Sequence, residues 1–320
     1  MVLNLELFQD EQINKLKTEI EEGCQEFEKL RERDVILLLM AEEWSSIERS
    51  TVDDLWIHIK QRTFNKKGVD VILHSPGGDA DAAYHLSIIL NSVATNKPLS
   101  FVVPRLAKSA ATLLACSGNS IVMTDISELG PVDPQVATRT GRWISVTTVR
   151  DALNEVFEML ESRQKLSDKC LDALFRTLPI TEVGQFRKLI DYVRDLLSRV
   201  LKMRMIEDKE GEKNIADEKI NEICKKLTEG YKYHGMPITK DEAKNIDLKI
   251  ESLPNDAERI LLERIYTPFK KMVKLSETIL IPILSVLPQP IISASKIDTK
   301  FGLIYLPPIE LPEKFFPCEE

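Results

Sequence analysis

Val69-Asp-Val-Ile-Leu-His-Ser-Pro-Gly-Gly-Asp79 decides the reading of this chain, and Phe101-Val-Val-Pro-Arg-Leu-Ala-Lys-Ser-Ala-Ala-Thr112 completes it. Each begins as an apolar, β-branched run, turns at Pro or Gly, and enters a segment with helical character. Pro76-Gly77-Gly78 predicts a turn with uncovered backbone N–H groups, because two successive glycines have no Cβ to block an approaching atom. The second turn presents Ser109 at a helix start, followed by small residues that let another chain segment pack closely. Donors on one turn and a hydroxyl on its neighbour are the parts that acyl transfer needs.

Working outward, Asp34 to Met40, Val69 to Leu73, Ser100 to Val103 and Ser120 to Met123 read as strands. Asp53 to Arg62, Asp79 to Ala94 and the run from Ser109 read as the helices between them. Strands alternating with helices at this spacing predict a parallel sheet with right-handed crossovers. Ligands of such sheets bind beyond the carboxyl ends of the strands, where Gly77, Gly78 and Ser109 fall.

Taken singly, Pro-Gly-Gly is also a common turn, and a Ser before an Ala-rich run is a common N-cap. Order, spacing and surroundings distinguish them here. The two segments resemble the Clp protease/crotonase superfamily, in which Ser-Pro-Gly-Gly supplies the oxyanion hole and a small-residue helix carries the nucleophile. With Ser109 on the Clp nucleophile, Ala110-Ala-Thr-Leu-Leu-Ala-Cys-Ser-Gly118 follows that family's apolar helix without a gap. Asn119-Ser-Ile-Val-Met-Thr-Asp-Ile-Ser-Glu-Leu-Gly-Pro-Val-Asp-Pro-Gln135 is more similar to one branch, the serine dehydrogenase proteinase family, which is related to signal peptide peptidase A. The resemblance covers about residues 69 to 136, with a weaker echo at Tyr231 to Leu248. It implies an α/β fold: a Clp/crotonase-like core of parallel strands and crossover helices, plus a helical region.

A serine hydroxyl needs a base within hydrogen-bond reach. The four histidines are His58, His74, His85 and His234. His58 reads as a surface residue of a helix, His74 as pointing to one face of a strand, and His85 as surface or packing. His234 lies in a turn, where a polar side chain is freer to reach a cleft. The Clp histidine would fall near Leu129-Gly-Pro-Val-Asp-Pro134, which has none, so the Clp triad is absent. The serine dehydrogenase proteinase family uses the order Ser, Asp, His, and Ser109, Asp133 and His234 match that order. The resemblance implies an oxyanion hole at Gly77 and Gly78. Asp133 between two prolines also reads as an ordinary loop carboxylate, and a turn histidine is commonly just solvated. Signal peptide peptidase A enzymes instead use a Ser–Lys dyad, for which Lys165 and Lys169 are the alternatives; Lys108 adjoins Ser109 and should point elsewhere. Crotonase-like folds also serve as non-catalytic scaffolds and as acyl-thioester enzymes, and Gly-Gly donors would serve an enoyl-CoA pocket equally well.

Among 320 residues, 43% are hydrophobic and 29% charged, which suits a soluble protein, and the net charge of −8 offers no basic footprint for nucleic acid. The five cysteines, Cys24, Cys116, Cys170, Cys224 and Cys318, lack metal-ligand spacing and fit a reducing cytoplasm. No metal or cofactor is expected, and no Gly-x-Gly-x-x-Gly follows a strand. Met1 leads directly into acidic, amphipathic sequence, so no signal peptide is expected. Ile279 to Ile292 is too short and Pro-broken for a membrane anchor.

Four regions are expected: an N-terminal helical segment over 1–33, the α/β core over 34–145, a helical region with the His-containing turn over 146–250, and a C-terminal helix with a Pro-rich tail over 251–320. In the first, Ile13, Leu16, Ile20, Cys24 and Phe27 make one apolar stripe, suited to packing or to a subunit contact. Thr147 to Lys165, Ser167 to Leu178, Thr181 to Met205 and Ala216 to Glu229 read as amphipathic helices. The tail from Pro282 to Pro317 reads as extended, with a neighbouring subunit as one destination. The sequence thus predicts a cytoplasmic, ATP-independent serine peptidase of homo-oligomeric state, acting on polypeptides.

Overall fold

The computed structural model describes residues 2–137, 143–161, 180–206, 213–284 and 295–306. Its centre is a parallel sheet built from the apolar runs: β1 (Asp34–Met40), β2 (Val69–His74), β3 (Leu99–Val103) and, beyond the two-residue β4 (Leu106–Ala107), β5 (Ser120–Met123). Every residue of these four longer strands is buried, as expected for parallel strands covered on both faces. The order across the sheet is β10-β5-β3-β2-β1-β12-β11, with β10 at Ile250–Glu251, β11 at Ser295–Thr299 and β12 at Gly302–Leu306. All pairings are parallel except that of β11 with β12.

Period-two alternation divides the core in two. Ile36, Leu38 and Met40 of β1 join Val71 and Leu73 of β2 and Phe101 of β3 on one face. The helices α2 (Arg49–Lys60), α3 (Ala80–Val93) and α4 (Ala110–Ala115) pack there. Val35, Leu37 and Leu39 point to the other face, which α1 (Val2–Arg31) covers together with the long C-terminal helix Asp256–Leu284. The stripe Ile13, Leu16, Ile20, Cys24 and Phe27 is buried against Leu262, Ile265, Phe269 and Met272 of that helix. The N-terminal helix is therefore packed onto its own sheet, and its stripe has its partner within the chain. Asp70, fully buried at the start of β2, pairs with Arg31 and Arg33 and ties the end of α1 to the sheet.

The helical region contributes α5 (Val146–Glu161), α6 (Ile180–Val200), a π-helical turn at Leu201–Met205 and α7 (Lys213–Glu229). The predicted helix Ser167 to Leu178 and the end of the one before it lie outside the described residues. Val193, Leu197, Val200 and Leu201 pack with Ile220, Ile223 and Cys224 onto the face that holds α4. Arg204 donates to the carbonyls of Lys97 (2.7 Å) and Ala94 (2.8 Å), satisfying groups at the end of α3 and fastening the cover to the core.

A small second sheet, β4-β6-β9, lies above the first, with β6 at Glu128–Leu129 and β9 at Ile238–Thr239. A hairpin of β7 (Gln135–Ala137) and β8 (Trp143–Ser145) follows β6, and α8 (Lys240–Asn245) follows β9, making Asp256–Leu284 α9. The tail expected to be extended contributes β11 and β12, which extend the sheet beside β1 of the same chain. The tail's first residues, Pro282 to Leu284, are helical rather than extended, as the end of α9, and residues 285–294 and 307–320 lie outside the described residues.

Candidate active site

The first turn follows β2 at the sheet's carboxyl edge. Gly77 has φ of +110° and Gly78 of +139°, a region that favours glycine. A Cβ on Gly77 would lie 2.8 Å from the Ser109 Cβ, and one on Gly78 would lie 2.3 Å from the Ile47 carbonyl oxygen. Both glycines are thus required by close approach as well as by backbone conformation. Gly78 bridges Ile47 in parallel fashion. Gly77, whose N–H the resemblance implies would face a substrate, donates to Ser75 Oγ at 3.2 Å. The Gly78 N–H has no acceptor among the described residues. Asp79 then caps α3, accepting from the N–H groups of Asp81 (2.7 Å) and Ala82 (3.0 Å).

Ser109 is the N-cap of α4, held at φ 50° and ψ −119°. A non-glycine residue in that region is strained, and strain of this kind persists only where the surroundings enforce it. Lys108 N–H to Ser75 carbonyl (3.0 Å) and the close contact with Gly77 enforce it here. Ala110, the first residue of α4, has an N–H that no helix carbonyl can reach. It was not singled out in the sequence, although the residue after any N-cap serine carries such an orphan donor.

Asp133 and His234 come from segments 101 residues apart and meet through the small sheet, where Leu129 of β6 pairs with Ile238 of β9. The His234 Nδ1 lies 2.7 Å from Asp133 Oδ1. An ionised carboxylate only accepts, so Nδ1 carries the proton and Nε2 is left with its lone pair. Asp133 is buried, and the Val132 N–H donates to the Leu227 carbonyl (2.8 Å) at the end of α7, just before the histidine turn.

Ser109, Gly78, Ala110, Asp133 and His234 line one cavity of about 630 Å³. Leu189 and Val193, one helical turn apart on α6, close one side of it, and Trp143 of β8, 66% exposed, stands at the hairpin side. The structure therefore brings together the serine, the aspartate and the histidine that the sequence singled out.

The other basic groups are elsewhere. His74 is buried on the opposite face of the sheet between Tyr266 and Phe269, with Nε2 3.4 Å from Glu42. His85 is exposed on α3. His58, read as a surface residue, is half-buried, with Nε2 enclosed and without a partner among the described residues; burial pushes its pKa down. Lys108 points away from Ser109, its Nζ donating to the Leu129 carbonyl (3.2 Å) and lying 3.3 Å from Glu128. Burial lowers its pKa, partly offset by Glu128. Lys165 and Lys169 lie outside the described residues. Among the described residues no group of His, Cys, Asp and Glu could hold a metal ion, and no helix is long and apolar enough to cross a membrane.

A family model described as ClpP-like SDH-type serine proteinase matches residues 46–285. The chain is 31% identical over 205 residues to the uncharacterized protein MJ0137 of Methanocaldococcus jannaschii, covering 64% of this chain and 61% of that one. It is 27% identical over 184 residues to MJ1495 of the same organism, also uncharacterized, covering 58% and 52%. The chain thus spans between half and two thirds of the length of these curated relatives. Among solved structures it is similar to an alanine variant of the 1510-N membrane-bound stomatin-specific protease (TM-score 0.41, 14% identity, 77% of this chain and 86% of that one). A second alanine variant, in complex with a substrate peptide, gives a TM-score of 0.39 at 14% identity, covering 71% and 78%.

Proposed function

Because the chain belongs to the ClpP-like SDH-type serine proteinases, we propose that it hydrolyses peptide bonds with Ser109 as nucleophile, His234 as general base and Asp133 as the group that orients the imidazole. The observation that carries this reading is the 2.7 Å contact of His234 Nδ1 with Asp133 on the wall of the cavity that Ser109 also lines. That contact leaves Nε2 as the proton acceptor. The Ser109 Oγ attacks the substrate carbonyl carbon as its proton passes to Nε2, and the carbonyl oxygen takes the negative charge. The Gly78 and Ala110 N–H groups receive that oxygen. Gly77 shapes the turn, its own N–H being given to Ser75. Collapse of the tetrahedral species expels the amine, which takes the proton from His234 and leaves an acyl-enzyme. Water, deprotonated by the same imidazole, then releases the acid. No step consumes ATP.

The test uses an unstructured polypeptide and a fluorophosphonate probe. Ser109→Ala is expected to abolish turnover and labelling while leaving the fold intact. His234→Ala is expected to lower turnover by at least about a thousandfold, and Asp133→Asn by less than that but by more than about tenfold. Lys165→Ala and Lys169→Ala are expected to change it by less than about tenfold. An active histidine variant beside an inactive lysine variant would replace the triad with a Ser–Lys dyad.

The same reading includes a polypeptide substrate, a cytoplasmic site of action and a homo-oligomeric state. Large apolar side chains left exposed on the core helices, Trp56 and Ile57 on α2 and Ile88 on α3, support the last of these.

A further inference from the structure

Thr112 lies one turn into α4, fully buried, and the mechanism above does not use it. Its Oγ1 accepts from the Gly130 N–H at 3.0 Å, and the carbonyl oxygens of Gly130 (2.9 Å) and Ala107 (2.7 Å) are both within donating distance. The hydroxyl thus accepts from Gly130, a residue 18 positions away in the chain, and has one proton to give to either the Ala107 or the Gly130 carbonyl. The other flank of Ser109 holds the same loop. The Lys108 side chain lies over Gly130, where a Cβ would stand 2.7 Å from Lys108 Cδ, and its Nζ donates to the Leu129 carbonyl. Asp133 follows three residues later.

We propose that Thr112 is a positioning residue: its hydroxyl fixes the loop that carries Asp133, and through it His234, to the helix that carries Ser109. The triad comes from three separate segments, so its geometry is only as good as the links between them. The pairing of β4 with β6 and the Lys108 contact with Leu129 supply two of those links, and two more are visible. The Val132 N–H to Leu227 carbonyl bond joins the aspartate loop to α7 and the histidine turn. Thr112 joins that loop to α4. Thr112 bonds the first residue beyond β6, and without it the aspartate loop is freer to shift relative to Ser109. Shifts of about 1 Å at a reacting centre cost on the order of a hundredfold in rate.

The inference rests on the triad reading, and the experiment separates the two. Turnover is measured on a peptide substrate and normalised to sites titrated with a fluorophosphonate, with folding checked by circular dichroism. Thr112→Val, which keeps the shape and removes the hydroxyl, is expected to lower kcat per titrated site by about ten- to a hundredfold with KM within about threefold. Thr112→Ser, which keeps the hydroxyl, is expected to stay within about threefold of the unaltered protein in both. A purely structural role would lower thermal stability and the number of titratable sites but leave kcat per site unchanged. Unchanged kcat per site in Thr112→Val, or equal losses in the Val and Ser variants, would overturn the positioning role. Should Thr112→Val not accumulate folded, Thr112→Ala replaces it with the same expected and overturning results. Ser109→Ala is run alongside: activity remaining there overturns the triad reading itself, whereas an inactive Ser109→Ala beside a fully active Thr112→Val overturns only the role of Thr112.

Discussion

His74 lies just before the Ser75-Pro-Gly-Gly turn, with its Nε2 toward Glu42 and its Nδ1 enclosed beside Tyr266 and Phe269, without a partner among the described residues. Burial removes the ring from water and holds its pKa below its ordinary value despite the nearby Glu42 carboxylate. Above about pH 6.5 folded and unfolded chains both carry the neutral ring; below it the unfolded chain binds a proton that the folded chain refuses. Stability is therefore expected to fall between pH 6.5 and 5.5, by up to about 1.4 kcal/mol per pH unit for this one site. His58, also pushed down by burial, adds in the same direction. Urea midpoints at the two pH values should differ less in His74→Gln than in the unaltered protein. Gly77 makes a second residue-scale case. In Gly77→Ala the new methyl would meet the Ser109 Cβ, so kcat is expected to drop by at least about a hundredfold in steady-state assays. Ser109, Asp133 and His234, which the family resemblance singled out, line one cavity in the structure. The Gly77 N–H bond to Ser75 and the position of the Ala110 N–H were not legible, because where a backbone donor points depends on turn geometry, which leaves no compositional mark.

Elements were read well wherever burial is two-sided. β1, β2, β3 and β5 are continuous apolar runs because helices cover both faces, and their bounds matched the expected ones to within a residue. The hairpin of β11 and β12 was not legible: Ser295-Lys-Ile-Asp-Thr299 has a single apolar residue, with the charged Lys296 and Asp298 exposed on alternate positions, and it follows a Pro-rich stretch. Its pairing with β1 depends on Gly302, at φ +151°, where a Cβ would lie 2.2 Å from the Leu37 carbonyl oxygen. Gly302→Ala is expected to destabilise the fold by at least about 2 kcal/mol, measured as a lowered urea midpoint. On the far face, Phe27 of α1 is fully buried beneath α9 and lies under the Arg31 guanidinium. Phe27→Ala should cost about 3–5 kcal/mol in the same measurement, since the cavity it leaves is walled by a sheet and a helix that cannot close over it.

For the molecule as a whole, the proposed homo-oligomer is checked by light scattering across micromolar concentrations; a monomer throughout that range would remove it from the reading. The division into an α/β core and a helical region was visible as a change from apolar runs to amphipathic spacing near residue 146. What could not be seen was closure: the first and last described elements, α1 and the β11–β12 hairpin, both complete the central sheet or its cover. That closure bears on how the chain is made. β1 leaves the ribosome well before β12, the two being separated by more than two hundred residues of sequence. At about 5–20 residues per second the interval is on the order of ten to fifty seconds. Throughout it, one edge of β1 carries unpaired amide and carbonyl groups on a strand whose every residue is buried in the finished fold. Nascent chains arrested before residue 295 are thus the form of this protein that most needs a chaperone.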